Sequence, residues 1–142
     1  MKLRRVGSAE WSGGLKDGKG AISTRSRALS SYPYGYESRL NGVRGTNPEE
    51  LLAAAHAGCF TMGLVMMLDR VGKVPLQIET VAEVTLEQTD DGYVIPSVHL
   101  KTRASVPELD ERTFVDAAVQ AKIHCPVSRL FRAEITLDAK LL

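Results

Sequence analysis

Cysteine is nearly absent from this sequence, with two residues in 142. So few in so long a chain exclude a disulfide framework, and a chain of this size buries roughly 70% of its unfolded surface without covalent staples. Excess charge of either sign is missing too. Lys and Arg number 18 against 17 Asp and Glu, for a formal net charge of +1. That leaves neither a basic stripe for nucleic acid nor an acidic tail, and the expected partners are small molecules or other proteins. No internal repeat or low-complexity tract divides the chain, so residues 1–142 are read as a single domain. No leader-like pairing of a basic segment with an apolar one opens "MKLRRVGSAEWSGG", and a reducing cytoplasm is the expected setting.

What the chain does have is one long apolar run, residues 51–68, inside "GTNPEELLAAAHAGCFTMGLVMML". Its length reaches that of a minimal membrane span. It also contains His56, Thr61, two glycines and four alanines, without basic flanking asymmetry, which suits a buried central helix better. The start is marked: Asn47 as N-cap, Pro48 at the first helical position and Glu50 placed to reach back in a box-like cap. Asp69 to Lys73, with Gly72 and Pro75, end it.

Before this helix the pattern is strand-like: "LRRVGSAEW" and "AISTR" around a "KDGKG" hairpin, then a tyrosine-rich extended piece with a turn at Pro33 to Gly35. After it the period becomes two. Ile78, Thr80, Ala82, Val84 and Leu86 fall on one face and Glu79, Glu83 and Glu87 on the other. Asp91-Gly92 turns the chain into "YVIPSVHLKTRASV", with Val94, Val98, Leu100, Ala104 and Val106 inward and His99, Lys101 and Arg103 outward. The opposite outer charges suit antiparallel neighbours. A second helix is expected from about Asp110, with Phe114, Ala117, Ala118 and Ala121 on one stripe that reaches Cys125, where Pro126 breaks it. A last strand places Ala133, Ile135, Leu137 and Ala139 inward. The order βββ-α-ββ-α-β is α+β with antiparallel sheet rather than repeated βαβ.

Few residues could carry chemistry. Cys59 and Cys125 both map to apolar faces, where free cysteine commonly serves as packing, and an apolar surround favours the inert thiol. A reactive thiolate needs a cation or a base. His56, three residues before Cys59 on the same helix face, could be that base, as in a Cys-His acyl hydrolase. Its alternative is a histidine satisfied at the helix surface or in a subunit contact. A metal set of His56, Cys59, His124 and Cys125 has the residue types but not the spacing of a common zinc site. Arg39, in the polar stretch "ESRLNGVRGTNPEE", either stabilises a thiolate or is a solvated loop arginine.

"PYGYESRLNGVRGTNPEELLAAAHAGCF" together with "KIHCPVSRLFRAEITLDAKL" resembles the osmotically inducible protein C (OsmC) family, sister to the organic hydroperoxide resistance proteins. The resemblance runs essentially end to end. It implies a fold of antiparallel sheets wrapped around long central helices in an intertwined homodimer. The activity it implies is that of a thiol-dependent, peroxiredoxin-like two-cysteine peroxidase. Such an enzyme reduces organic hydroperoxides, and more weakly hydrogen peroxide, in oxidative and osmotic stress defence. On this resemblance Cys59 is the peroxidatic cysteine, Cys125 the resolving one, Arg39 the catalytic arginine and Glu49 its partner. No bound cofactor is implied; the reductant is an external dithiol, a dihydrolipoyl group often on a lipoylated protein. His56 matches no catalytic role.

Two tensions accompany that assignment. Cys125 is expected at a helix start, where local reasoning lowers a thiol pKa, whereas Cys59 lies mid-helix, so local reasoning alone nominates Cys125 as nucleophile. Glu49 and Cys59 are also ten residues apart, about 15 Å and some 80° around a straight helix. The simplest arrangement takes Arg39 and Glu49 from one subunit and the cysteines from the other. The remaining alternative is a non-catalytic dimeric domain that binds an apolar ligand and uses its cysteines for packing.

Overall fold

The computed structural model describes all residues 1–142, which form two compact units, Met1–Leu51 and Leu52–Leu142. In the first, strands β1 (Gly7–Ser12), β2 (Lys19–Thr24) and β3 (Tyr32–Tyr34) make an antiparallel sheet in that order. The expected "KDGKG" hairpin joins β1 to β2, and Ser12 faces Lys19 across it. Trp11, Gly20 and Tyr34 share one row of the sheet, with the two rings in edge contact at 5.7 Å. A Cβ on Gly20 would meet the Tyr34 ring at 2.4 Å, so only glycine fits between them. Pro33 lies within β3 rather than in a turn, and an edge strand is where a residue without an N–H costs the ladder least.

The polar stretch before the long helix is not a plain loop. It holds a one-turn helix α1 (Tyr36–Leu40), which the sequence reading did not anticipate. Ser38 anchors it, accepting from the Gly35 N–H at 2.9 Å and donating to the Thr46 carbonyl at 2.9 Å. Gly45, at φ +142°, passes so close that a Cβ would meet the Pro33 carbonyl and Ser38 Cβ at 2.9 Å each. The long helix α2 (Pro48–Arg70) then starts as expected: Asn47 Oδ1 accepts from the Glu50 N–H at 2.8 Å. The Glu50 carboxylate, however, accepts from the Thr46 hydroxyl, one residue earlier than the box-like cap would have it. The residues buried in this unit are Ser38, Thr46 and Glu49, all polar.

The second unit holds the hydrophobic core. Most of α2 lies in it, followed by β4 (Gln77–Val84), a small hairpin β5 (Glu87–Thr89) and β6 (Gly92–Val94), β7 (Ser97–Ser105), α3 (Glu111–His124), α4 (Pro126–Leu130) and β8 (Glu134–Leu141). The strand expected from residue 93 to 106 is therefore two elements. Pro96 cannot continue the ladder, and Val94 belongs to the exposed hairpin instead of facing inward. β4 and β7 pair antiparallel, with Glu79 opposite Arg103 and a Glu83–Lys101 ion pair at 2.8 Å on the outer face. β7 and β8 pair parallel across the α3 crossover, so the α+β architecture stands with one parallel pair.

Asp110 caps α3, accepting from the Thr113 N–H at 2.9 Å, and the helix buries Phe114, Ala117, Ala118 and Ala121 as expected. Against them α2 packs Phe60, Leu64, Met67 and Leu68. The opposite face of α2 is apolar and uncovered: Met62 is 77% exposed, Val65 42% and Met66 49%. By length and composition this helix could cross a membrane, but its other face is committed to a protein core.

Candidate active site

The residues expected to carry chemistry fall into two clusters, one in each unit. In the first, Arg39 on α1 grips Glu49 in the first turn of α2. Arg39 Nη2 donates to Glu49 Oε1 at 2.7 Å, and Nε lies 3.2 Å from both carboxylate oxygens. The carboxylate is nearly enclosed, with its side chain 11% exposed, while the arginine side chain is 39% exposed. Arg39 is thus no free loop arginine. Its guanidinium is oriented by a buried carboxylate and keeps an accessible face, which suits a cation that serves a group outside this cluster. Ser38, Thr46 and Gly45, none of them candidates from the sequence, fix the approach of α1 to the start of α2.

The second cluster brings the two cysteines together. Cys59, half-buried on α2, lies within hydrogen-bonding reach of Cys125, which is 2% exposed. Cys125 is at once the C-cap of α3 and the N-cap of α4, in an extended conformation (φ −61°, ψ 121°), as Pro126 demands of the residue before it. Both thiols line an apolar pocket of about 320 Å³ with Met62, Gly63, Met66 and Ala121, and His124 and Pro126 stand at its wall.

Three influences act on the Cys59 thiol. Burial, the largest, pushes its pKa up; the backbone N–H of Val127 pulls it down; the adjoining Cys125 thiol pushes it up again. The net shift is upward. The backbone amide of Val127, at the start of α4, addresses Cys59 and offsets part of the upward push of burial, while Cys125, the N-cap of that helix, makes no side-chain capping bond.

His56 is neither at the helix surface nor poised on Cys59. It is fully buried, with Nε2 2.7 Å from Ser128 Oγ and its ring 5.4 Å from that of Phe131. That partnership removes the base needed by the acyl hydrolase alternative. No three His, Cys, Asp or Glu side chains cluster as a metal site would require, and the set of His56, Cys59, His124 and Cys125 is not assembled.

With paired thiols at an apolar pocket and an oriented arginine held by glutamate, family relationships can be placed on the geometry. The model of the family described as OsmC-like protein matches residues 40–140. The chain belongs to the OsmC-like family. It is 46% identical to the peroxiredoxin OsmC of Escherichia coli (strain K12) over 141 residues, 99% of each chain. An organic hydroperoxide resistance protein-like 2 of Staphylococcus epidermidis is 28% identical over 129 residues, 89% of this chain and 88% of the relative. Among solved structures, the organic hydroperoxide resistance protein OhrB of Bacillus subtilis superposes with a TM-score of 0.68, covering 96% of this chain and 98% of that one at 21% identity. At that identity the superposition speaks for the fold, and the OsmC-like fold is what this chain adopts.

Proposed function

We propose that this chain is a thiol-dependent peroxidase that reduces organic hydroperoxides. One observation carries the reading: two thiols in hydrogen-bonding reach of each other at an apolar pocket, in a chain 46% identical along its length to a peroxiredoxin OsmC. The Cys59 thiolate attacks the O–O bond, becoming a sulfenic acid, and the alkoxide leaves and takes a proton to give the alcohol. The Cys125 thiol then condenses with the sulfenic acid, releasing water and forming the Cys59–Cys125 disulfide. An external dithiol, in our reading a dihydrolipoyl group, reduces the disulfide by exchange. The methionine-lined pocket favours an organic substituent on the peroxide over water or hydrogen peroxide.

Within the protomer the Cys59 thiol is held above its ordinary pKa, so the reaction needs a further cation. We assign it to Arg39 of a second copy, oriented there by that copy's Glu49, in a homodimer with two shared sites. The uncovered apolar face of α2 and the wholly polar buried set of the first unit support such an assembly, since each leaves apolar surface for a partner to cover. Arg39 would stabilise both the thiolate and the charge developing on the departing oxygen.

Counting free thiols before and after one equivalent of a bulky organic hydroperoxide tests the reading. Loss of two thiols, restored by dihydrolipoamide, is expected. An unchanged count would mark both cysteines as packing.

A further inference from the structure

Helix α4 is too short to hold itself in place. It has five residues, none buried, and its Leu130 is 74% exposed, whereas isolated helices shorter than about 12 residues are marginal in water. Its apolar contact with the core is the half-buried Val127. Yet this segment brings two groups to the thiol pair: Cys125 as its N-cap and the Val127 N–H directed at the Cys59 sulfur. Something outside α4 has to fix its position.

The anchor lies on α2, one turn before Cys59. His56 is fully buried there and meets α4 twice, through Nε2 at 2.7 Å from Ser128 Oγ and through its ring, 5.4 Å from that of the C-cap residue Phe131. Neighbouring residues of α4 are therefore held by neighbouring turns of α2: Ser128 by His56, and Val127 by Cys59. We propose that His56, through its hydrogen bond to Ser128, is the positioning residue that holds α4 so that the Val127 amide addresses the Cys59 sulfur.

The proton on His56 follows from its surroundings. Nδ1 is buried without a partner, and an orphaned N–H is rarer in proteins than an orphaned acceptor. The proton is thus assigned to Nε2, which donates to Ser128 Oγ, and Nδ1 keeps a bare lone pair. A charged ring would bury a second, unmatched donor, and burial accordingly holds the His56 pKa below its usual value. Any replacement must offer an N–H where Nε2 stands. Glutamine does so, and leucine does not.

This inference rests on the reading of Cys59 as the reacting thiol, but its test uses no peroxide. Iodoacetamide consumes thiolate, so its rate against pH, with peptide mapping to separate Cys59 from Cys125, reports the Cys59 midpoint directly. In the full-length protein, Ser128→Ala and His56→Leu should each raise that midpoint by about one unit, and so slow Cys59 alkylation at pH 7 about tenfold. His56→Gln should return it close to the wild-type value. A Ser128→Ala protein that melts earlier with an unmoved Cys59 midpoint would reduce the pair to packing and overturn the proposal. Equal midpoints in His56→Gln and His56→Leu would overturn it as well. If the wild-type protein alkylates normally but leaves hydroperoxide unconsumed, the peroxidase reading fails while the midpoint comparison still decides the role of His56.

Discussion

Arg39 holds the enclosed carboxylate of Glu49 with two nitrogens, Nη2 at 2.7 Å and Nε at 3.2 Å from both oxygens. The carboxylate side chain is 11% exposed and the arginine side chain 39%, so the enclosed glutamate fixes the guanidinium while part of it stays reachable from outside. The geometry reads as aiming a guanidinium. If the aim is across a subunit boundary, mixed dimers distinguish it. Arg39→Ala and Cys59→Ser proteins, each inactive alone, should regain about a quarter of wild-type peroxidase activity when unfolded together and reassembled, because half of the dimers then carry one intact shared site. No recovery would place Arg39 and Cys59 of one site on one chain.

The order of the thiol chemistry is open to direct trapping. In Cys125→Ser, one equivalent of organic hydroperoxide should leave Cys59 as a sulfenic acid, detected by mass after dimedone labelling. Cys59→Ser should retain no turnover. Accumulation of sulfenic acid on Cys125 instead would reverse the roles.

Pocket shape should separate substrates by size. Gly63 faces Ala121, and an added Cβ would sit 3.8 Å from the Ala121 Cβ, an ordinary contact, so the backbone tolerates a side chain there. Gly63→Leu then fills the pocket shared by Met62 and Met66. The expected result is a loss of about tenfold or more in kcat/KM for a bulky aryl hydroperoxide, with hydrogen peroxide affected far less. Equal losses for both would show that the pocket does not bind the organic group.

Acid should destabilise the fold through His56. Burial lowers its pKa in the folded chain, so in the window below the unfolded value of about 6.5 the unfolded chain binds a proton that the folded one refuses. Stability therefore rises with pH through that window and falls as pH drops from 7 towards 5. The urea midpoint of His56→Gln should lose less over the same range than that of the wild type, and parallel slopes would contradict the assignment.

Local signals in the sequence were reliable where the physics is local. Asn47 and Pro48 start α2, and the Phe114 to Ala121 stripe runs on to a buried Cys125, while the expected Asp91-Gly92 turn falls one residue earlier, at Asp90-Asp91, with Gly92 opening β6 opposite Thr89. The charge pattern of Glu79 and Glu83 against Lys101 and Arg103 foretold the β4–β7 pairing. Pro96 was a legible break in the expected long strand, since a proline inside an alternating run marks its boundary. Other features lay beyond local reading. The partner of His56 is 72 residues away in sequence, and neither the Ser38–Thr46 link that orients α1 nor the parallel placement of β8 has a periodic signature. In each, a tertiary contact selects the geometry.

The parallel β7–β8 pair has a consequence for how the thiols first meet. Cys125 rides in the connection between these strands, whose register from Ser97–Glu134 to Ala104–Leu141 closes over the whole of α3 and α4. Loop entropy is spent on such a crossover before its contacts give anything back, which makes it a slow event in folding. Until it closes, Cys59 is a lone thiol. Under the proposed thiol chemistry, a chain that encounters oxidant at that stage is open to mixed disulfides with other thiols, and it acquires an internal route out of a Cys59 sulfenic acid only when its longest-range strand pairing has formed.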